Sequence, residues 1–241
     1  MITWGTFGPV HLMTLAAAAL MLPGLYLLLR RRSIRTQTLV LGLLSLTGVA
    51  AILFNLAAWD SPLEYLPLHL CSLTAIALPI AVFTRSRALC NLLLFWSLGA
   101  VMALVVNTAQ AEYELLSWTF AFYYFPHAMQ SVIPLLMFRL GLVQKDVRCI
   151  PSTISITMGA YSAVHLCNVL INRHMVLLGS PIRVNYMYSV QPANPVLQFF
   201  WEMIPHPYWY MFLAMPIIAV YLTLVYLPQL RKTHAASHRM A

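Results

Sequence analysis

The sequence predicts an all-α, polytopic membrane protein with seven transmembrane helices, its N-terminus outside and its C-terminus in the cytoplasm. Three observations carry that prediction. The chain of 241 residues is 61% hydrophobic and only 8% charged, about a third of the charged fraction of a soluble domain. It contains seven apolar runs of about 20 residues, the length that crosses a ~30 Å hydrocarbon core as a helix. Its basic residues fall in alternate loops. No pattern of short alternating strands points to a membrane β-barrel.

The expected spans are 9–29, 38–59, 66–84, 88–107, 117–138, 150–171 and 208–229, in a single domain covering 1–241. The first has no basic residue before it and is followed by "RRRSIR", so it reads as a span and not as a cleavable signal. The third opens on "LPLHLC", and the fourth ends on Asn107. The fifth carries Pro126 and Pro134, each of which removes a backbone hydrogen bond and bends a helix. Between the sixth and seventh lies a stretch of about 172–207, whose prolines forbid one continuous helix and whose Tyr186, Tyr188, Phe199, Phe200 and Trp201 suit a cap on the outer surface. Tyr208, Trp209 and Tyr210 would anchor the seventh span at the interface.

Charge sets the orientation. Twelve of the 14 Lys and Arg follow spans one, three, five and seven, and only Arg173 and Arg183 fall on the other side. Asp60, Glu64, Glu112, Glu114 and Glu202 share that other side. The positive-inside rule then puts the basic loops in the cytoplasm. The net charge of +8 is thereby explained by topology, and no nucleic-acid partner is expected. Cys71, Cys90, Cys149 and Cys167 show neither CxxC nor a zinc spacing, and no HxxxH lies within the expected spans. No metal, cofactor or disulfide framework is expected from these patterns.

With the orientation set, the histidines of the spans, together with Asn55, Cys71, Asn107, Cys167 and Asn168, fall in the outer half. His69 and Cys71 lie one to two turns into span three, His127 about ten residues into span five, and His165, Cys167 and Asn168 near the outer end of span six. Cys71, His127 and His165 come to about 8–15 Å below the interface at ~1.5 Å per residue. Ionisable groups at such depth face the bundle interior, so a polar cavity open to the outer leaflet is expected. A thiol needs a base. On a regular helix His69 and Cys71 point in nearly opposite directions, which leaves His127 and His165 as the candidate partners. The plain alternatives are a cysteine packed as a small hydrophobe and histidines that bridge helices. His11 reads as interfacial, and Asn55 and Asn107 as interhelical bonds or end caps.

"LPLHLC", "FPHAMQS", "VNYMYSVQP" and "IPHPYWY", in that order from Leu66 to Tyr210, resemble the YwaF-like bacterial integral membrane proteins. That family is distantly similar to an animal transmembrane acyltransferase that remodels ether phospholipids through a cysteine acyl-enzyme. Its architecture is similar to that of androgen-induced fatty-acid ester hydrolases. The resemblance implies a multi-pass protein of the bacterial cytoplasmic membrane, with Cys71 as nucleophile and His127 as base. His69, Asn107, His165, Asn185 and Tyr186 are the expected supporting or lining residues. The expected partner is a phospholipid or lysophospholipid, and the expected function is acyl transfer or acyl-ester hydrolysis from the outer leaflet. A solute carrier or binding protein, or a non-catalytic assembly partner, is the alternative.

Overall fold

The computed structural model describes residues 4, 5, 7–59, 61–106 and 113–237. Asn107, Asp60 and Glu112 lie outside the described residues. The rest form eight α-helices: α1 (Pro9–Leu29), α2 (Ile34–Ala58), α3 (Leu70–Thr84), α4 (Arg87–Val105), α5 (Trp118–Arg139), α6 (Ile150–Leu177), α7 (Pro195–Met203) and α8 (Met215–Ser237). No β-strand element occurs among the described residues. Several helices start where the sequence offers a side-chain oxygen to an orphan amide. Ser33 accepts from the N–H of Thr36, Ser86 from Leu89, Ser117 from Phe120 and Asn194 from Leu197.

Five stretches are long and apolar enough to cross a membrane: Pro9–Leu29, Ile34–Ala58, Arg87–Val105, Val147–Leu177 and Trp209–Leu227. Their outward faces carry bare hydrocarbon, with Leu12, Leu20, Leu43, Leu53 and Leu166 each more than 50% exposed. Such surface suits lipid and not water. The two remaining expected spans differ for separate reasons. Helix α3 has only 15 residues, because Leu66–His69 stay non-helical behind Pro67. Helix α5 has 22 residues but carries Tyr123, Tyr124, His127, Gln130 and Ser131. It packs against α1, α2, α3 and α4, so its polar groups are sheltered by protein.

Close approach of α2 to α3 depends on two glycines. A Cβ on Gly42 would come within 2.3 Å of the Phe83 ring, and one on Gly48 within 2.7 Å of the Ala75 Cβ. At one end of the bundle, His11 is fully buried and ties α1 to α4. One ring nitrogen, Nδ1, accepts from the Phe7 N–H at 3.0 Å, and Nε2–H donates to the Leu104 carbonyl at 2.7 Å. His11, read from the sequence as interfacial, is an internal tie at that end of the bundle. At the opposite end, where the basic loops gather, Asn91 is the hub. Its oxygen accepts from the Asp146 N–H and the Tyr226 hydroxyl, and Arg87 pairs with Asp146 at 2.6 Å.

The cap begins later than expected. Helix α6 runs on to Leu177, past the expected limit at 171, and is closed by Gly179 at φ 66°. Beyond it come a 3₁₀ turn (Tyr186–Tyr188), helix α7 and a second 3₁₀ turn (Trp209–Ala214). Helix α7 buries Leu197 and Phe200 while leaving Phe199 and Met203 exposed, as expected of a short amphipathic helix at an interface.

Candidate functional site

The site starts where α3 starts. His69 has an extended backbone (φ −75°, ψ 153°) and is the residue before the helix, so Cys71 falls in the first turn. The first amides of a helix have no intrahelical partner, and their aligned dipoles favour negative charge. A thiolate or oxyanion at Cys71 would form next to those amides. The regular-helix argument against contact between His69 and Cys71 does not hold here, because the chain unwinds at Leu66–His69.

A cavity of about 530 Å³ lies between α2–α6, the cap and α8, and both Cys71 and His127 line it. The volume falls in the range of about 300–1,000 Å³ usual for ligand sites. His69 also lines it, as do Tyr123, Gln130 and Tyr188; hydrocarbon side chains form most of the remaining wall.

His127 has one defined tautomer. Its Nδ1 lies 2.6 Å from the Tyr123 carbonyl oxygen. A carbonyl only accepts, so Nδ1 carries the proton and Nε2 keeps its lone pair. The Tyr123 ring stacks obliquely on the imidazole at 4.4 Å, and its hydroxyl is pinned to the Ala103 carbonyl at 2.9 Å. His69 has the opposite tautomer: its Nδ1 accepts from the Met187 backbone N–H at 3.3 Å. The neutral ring therefore carries its proton on Nε2. Tyr186 and Tyr188 pack against this imidazole with centroids at 5.6 and 5.5 Å.

The structure thus brings Cys71, His127 and His69 to one cavity; of the other expected residues, His165, Asn185 and Tyr186 do not line it, and Asn107 lies outside the described residues. His165 does not line the cavity; its Nδ1 is 3.0 Å from the Ser189 hydroxyl, and its ring packs on Tyr208. Asn185 braces the cap turn, accepting from the Val190 and Gln191 amides and donating to the Gln191 carbonyl. Tyr186 is wholly buried, and its main chain is clasped by Asn168 through the carbonyl (2.8 Å) and the N–H (3.0 Å). The Tyr210 hydroxyl donates to the Tyr188 carbonyl. Burial pushes the Tyr188 phenol up to about 12, with Cys71 nearby adding to the rise, so Tyr188 is a neutral O–H at ordinary pH.

Tyr123, Gln130 and Tyr188 were not expected at the site. The first two stand four residues before and three after His127, a spacing that shares one helical face, so the signal was present in "FYYFPHAMQ". Among the described residues no group of three His, Cys, Asp or Glu is arranged to hold a metal.

No curated protein and no solved structure shows significant similarity to the chain. A family profile does match, and over residues 6–226 it takes in α1 to α7, the cap and the first half of α8. The chain belongs to the TMEM164 family, a family of transmembrane proteins.

Proposed function

We propose that this multi-pass membrane protein is a cysteine-dependent lipid acyltransferase or acyl-ester hydrolase. One observation carries the reading: a first-turn cysteine of α3 shares a cavity with a histidine whose Nε2 is left bare by its own hydrogen bonding. The proposal includes α3 and α5 as spans sheltered by the other five, giving seven in one domain. The N-terminus and the cap then face outside, and the substrate is a phospholipid or lysophospholipid of the outer leaflet. The four sequence motifs support a place among YwaF-like bacterial members, in the cytoplasmic membrane.

The chemistry follows from the tautomer. Nε2 of His127 takes the thiol proton as Cys71 Sγ adds to the ester carbonyl carbon, and the carbonyl electron pair moves onto oxygen. Collapse of that tetrahedral intermediate breaks the carbon–oxygen ester bond. The departing alkoxide takes the proton back from His127 and leaves as a lysolipid alcohol, with the acyl group held as a thioester on Cys71. An acceptor alcohol, or water, then gives its proton to His127 and attacks the thioester, and the proton returns to sulfur. His165, tied to Ser189, anchors the cap in this scheme, and Asn185 and Tyr186 shape the turn beside His69.

The test is acyl exchange between a labelled phospholipid and a lysophospholipid, catalysed by the purified protein in phospholipid nanodiscs. The wild type should exchange label, and Cys71→Ala and His127→Ala should not. Exchange that survives both changes would overturn the reading. Solute uptake into sealed vesicles that survives Cys71→Ala would favour a carrier instead.

A further inference from the structure

His69 has no part in the scheme above, yet the cap is organised around it. Met187 and Tyr188 both hold positive φ, 51° and 53°, a left-handed conformation that side chains other than glycine and asparagine rarely adopt. Strain of this kind persists only where the surroundings enforce it. Here they do. Asn168 clasps the main chain of Tyr186, Asn172 accepts from the Val184 N–H at 2.7 Å, and the Ser189 carbonyl accepts from the Tyr208 N–H at 2.7 Å. The outcome of this bracing is that one backbone N–H, that of Met187, is aimed at His69 Nδ1. That bond fixes the ring as the Nε2–H tautomer and spends its only basic nitrogen. His69 is therefore built to donate and not to accept, the reverse of His127 across the same cavity.

We infer that His69 is the electrophilic partner of Cys71: its Nε2–H donates to the ester carbonyl oxygen and stabilises the oxyanion when sulfur adds to the carbon. The inference rests on the acyl-enzyme reading and deepens it. The step leaves the balance of the reaction unchanged. The proton stays on Nε2 throughout, the negative charge on oxygen is met by that hydrogen bond, and the charge disappears when the ester bond breaks. The same donor serves again when the acceptor adds to the thioester. Donors preorganised for an oxyanion act most strongly in a dry site, and losing one typically costs about 10²–10³ in rate. A protein that positions a histidine through a strained cap turn gains a further property: cap and chemistry are coupled, because displacing Met187 frees Nδ1 and lets the ring change tautomer.

The experiment compares two reagents at one sulfur. A short-chain p-nitrophenyl ester acylates Cys71 through an oxyanion, whereas iodoacetamide alkylates it by displacement at a saturated carbon. Both rates are read by peptide mass spectrometry on Cys71, in nanodiscs, for wild type, His69→Leu and His69→Gln. The expected result is that His69→Leu acylates about 10²-fold more slowly but alkylates at the wild-type rate. His69→Gln, which keeps an amide N–H at similar reach, should recover much of the acylation; a lost base would not be rescued by an amide. The unchanged alkylation rate also shows that the site is still folded. Acylation of His69→Leu at the wild-type rate would overturn the inference, as would equal loss of both reactions in both variants. A wild-type Cys71 that alkylates but never acylates would instead sink the acyl-enzyme reading itself, and this inference with it.

Discussion

Tyr123 holds His127 from two sides: its carbonyl oxygen lies 2.6 Å from Nδ1, and its ring sits 4.4 Å from the imidazole. With its own hydroxyl bonded to Ala103 on α4, Tyr123 makes His127 a ring of fixed tautomer on a fixed helix. If Cys71 and His127 work as one unit, their losses should not add. Cys71→Ala and His127→Ala should each abolish acyl transfer, and the double variant should be no worse than either single one. Cys90→Ala and Cys149→Ala should leave activity intact, since neither residue lines the cavity. Assay of the five variants side by side checks this. Activity of the Cys71 variant near the wild-type level would refute it.

Gly48 sits where α2 meets α3, and an added Cβ would fall 2.7 Å from the Ala75 Cβ and 3.2 Å from its Cα. Ala75 is four residues after Cys71, on the same helical face. Gly48→Ala should therefore push α3 away and carry Cys71 with it. A loss of about 1–3 kcal/mol from overpacking is expected, with acyl transfer falling more than stability alone explains. Thermal unfolding in detergent beside the exchange assay separates the two effects. Unchanged melting and activity would show that α2 and α3 are less closely packed than described.

Asn168 makes three hydrogen bonds to the cap: to the Tyr186 carbonyl, from the Tyr186 N–H, and to the Ser189 hydroxyl. Asn168→Ala leaves the buried Tyr186 N–H without its partner and its carbonyl with only the Ser189 N–H; an orphaned buried group costs about 1–3 kcal/mol. The predicted result is a cap that proteases cut more readily between α6 and α8, and a lower melting temperature. A variant as protease-resistant as the wild type would mean that Asn168 is not what holds the cap.

Orientation is checked by fusion reporters. Fusions after residues 35, 87 and 145 should report cytoplasm, and one near residue 190 should report outside, as the basic loops require. Reversed signals at two or more of these sites would turn the cavity toward the other leaflet.

The bundle was legible in the sequence wherever hydropathy alone decides. Helix α1 occupies the residues expected, 9–29, and α4 and α5 differ from expectation by two residues or fewer. Hydropathy failed where tertiary context took over. It placed His69 inside span three, whereas Pro67 delays the helix to Leu70 and leaves His69 extended in front of it. It ended span six at 171, but nothing in the sequence before Gly179 stops the helix. The sequence put Cys71, His127 and His165 at one depth, but the cavity is lined by the first two and not by His165, so depth alone did not choose between the two histidines. The two tautomers were not, because each depends on a backbone group, the Tyr123 carbonyl in one case and the Met187 N–H in the other. Backbone partners at a distance leave no residue-type signature. Nor does a strained turn made without glycine, such as Met187–Tyr188.

The central claim is that Cys71 carries an acyl group during turnover, and mass spectrometry of the protein purified from its own membrane tests it most directly. The account predicts a fatty-acyl thioester on the peptide containing Cys71, sensitive to neutral hydroxylamine and absent from His127→Ala. An acyl mass found only on Cys167, or none on any cysteine of a preparation that actively exchanges lipid acyl chains, would contradict it.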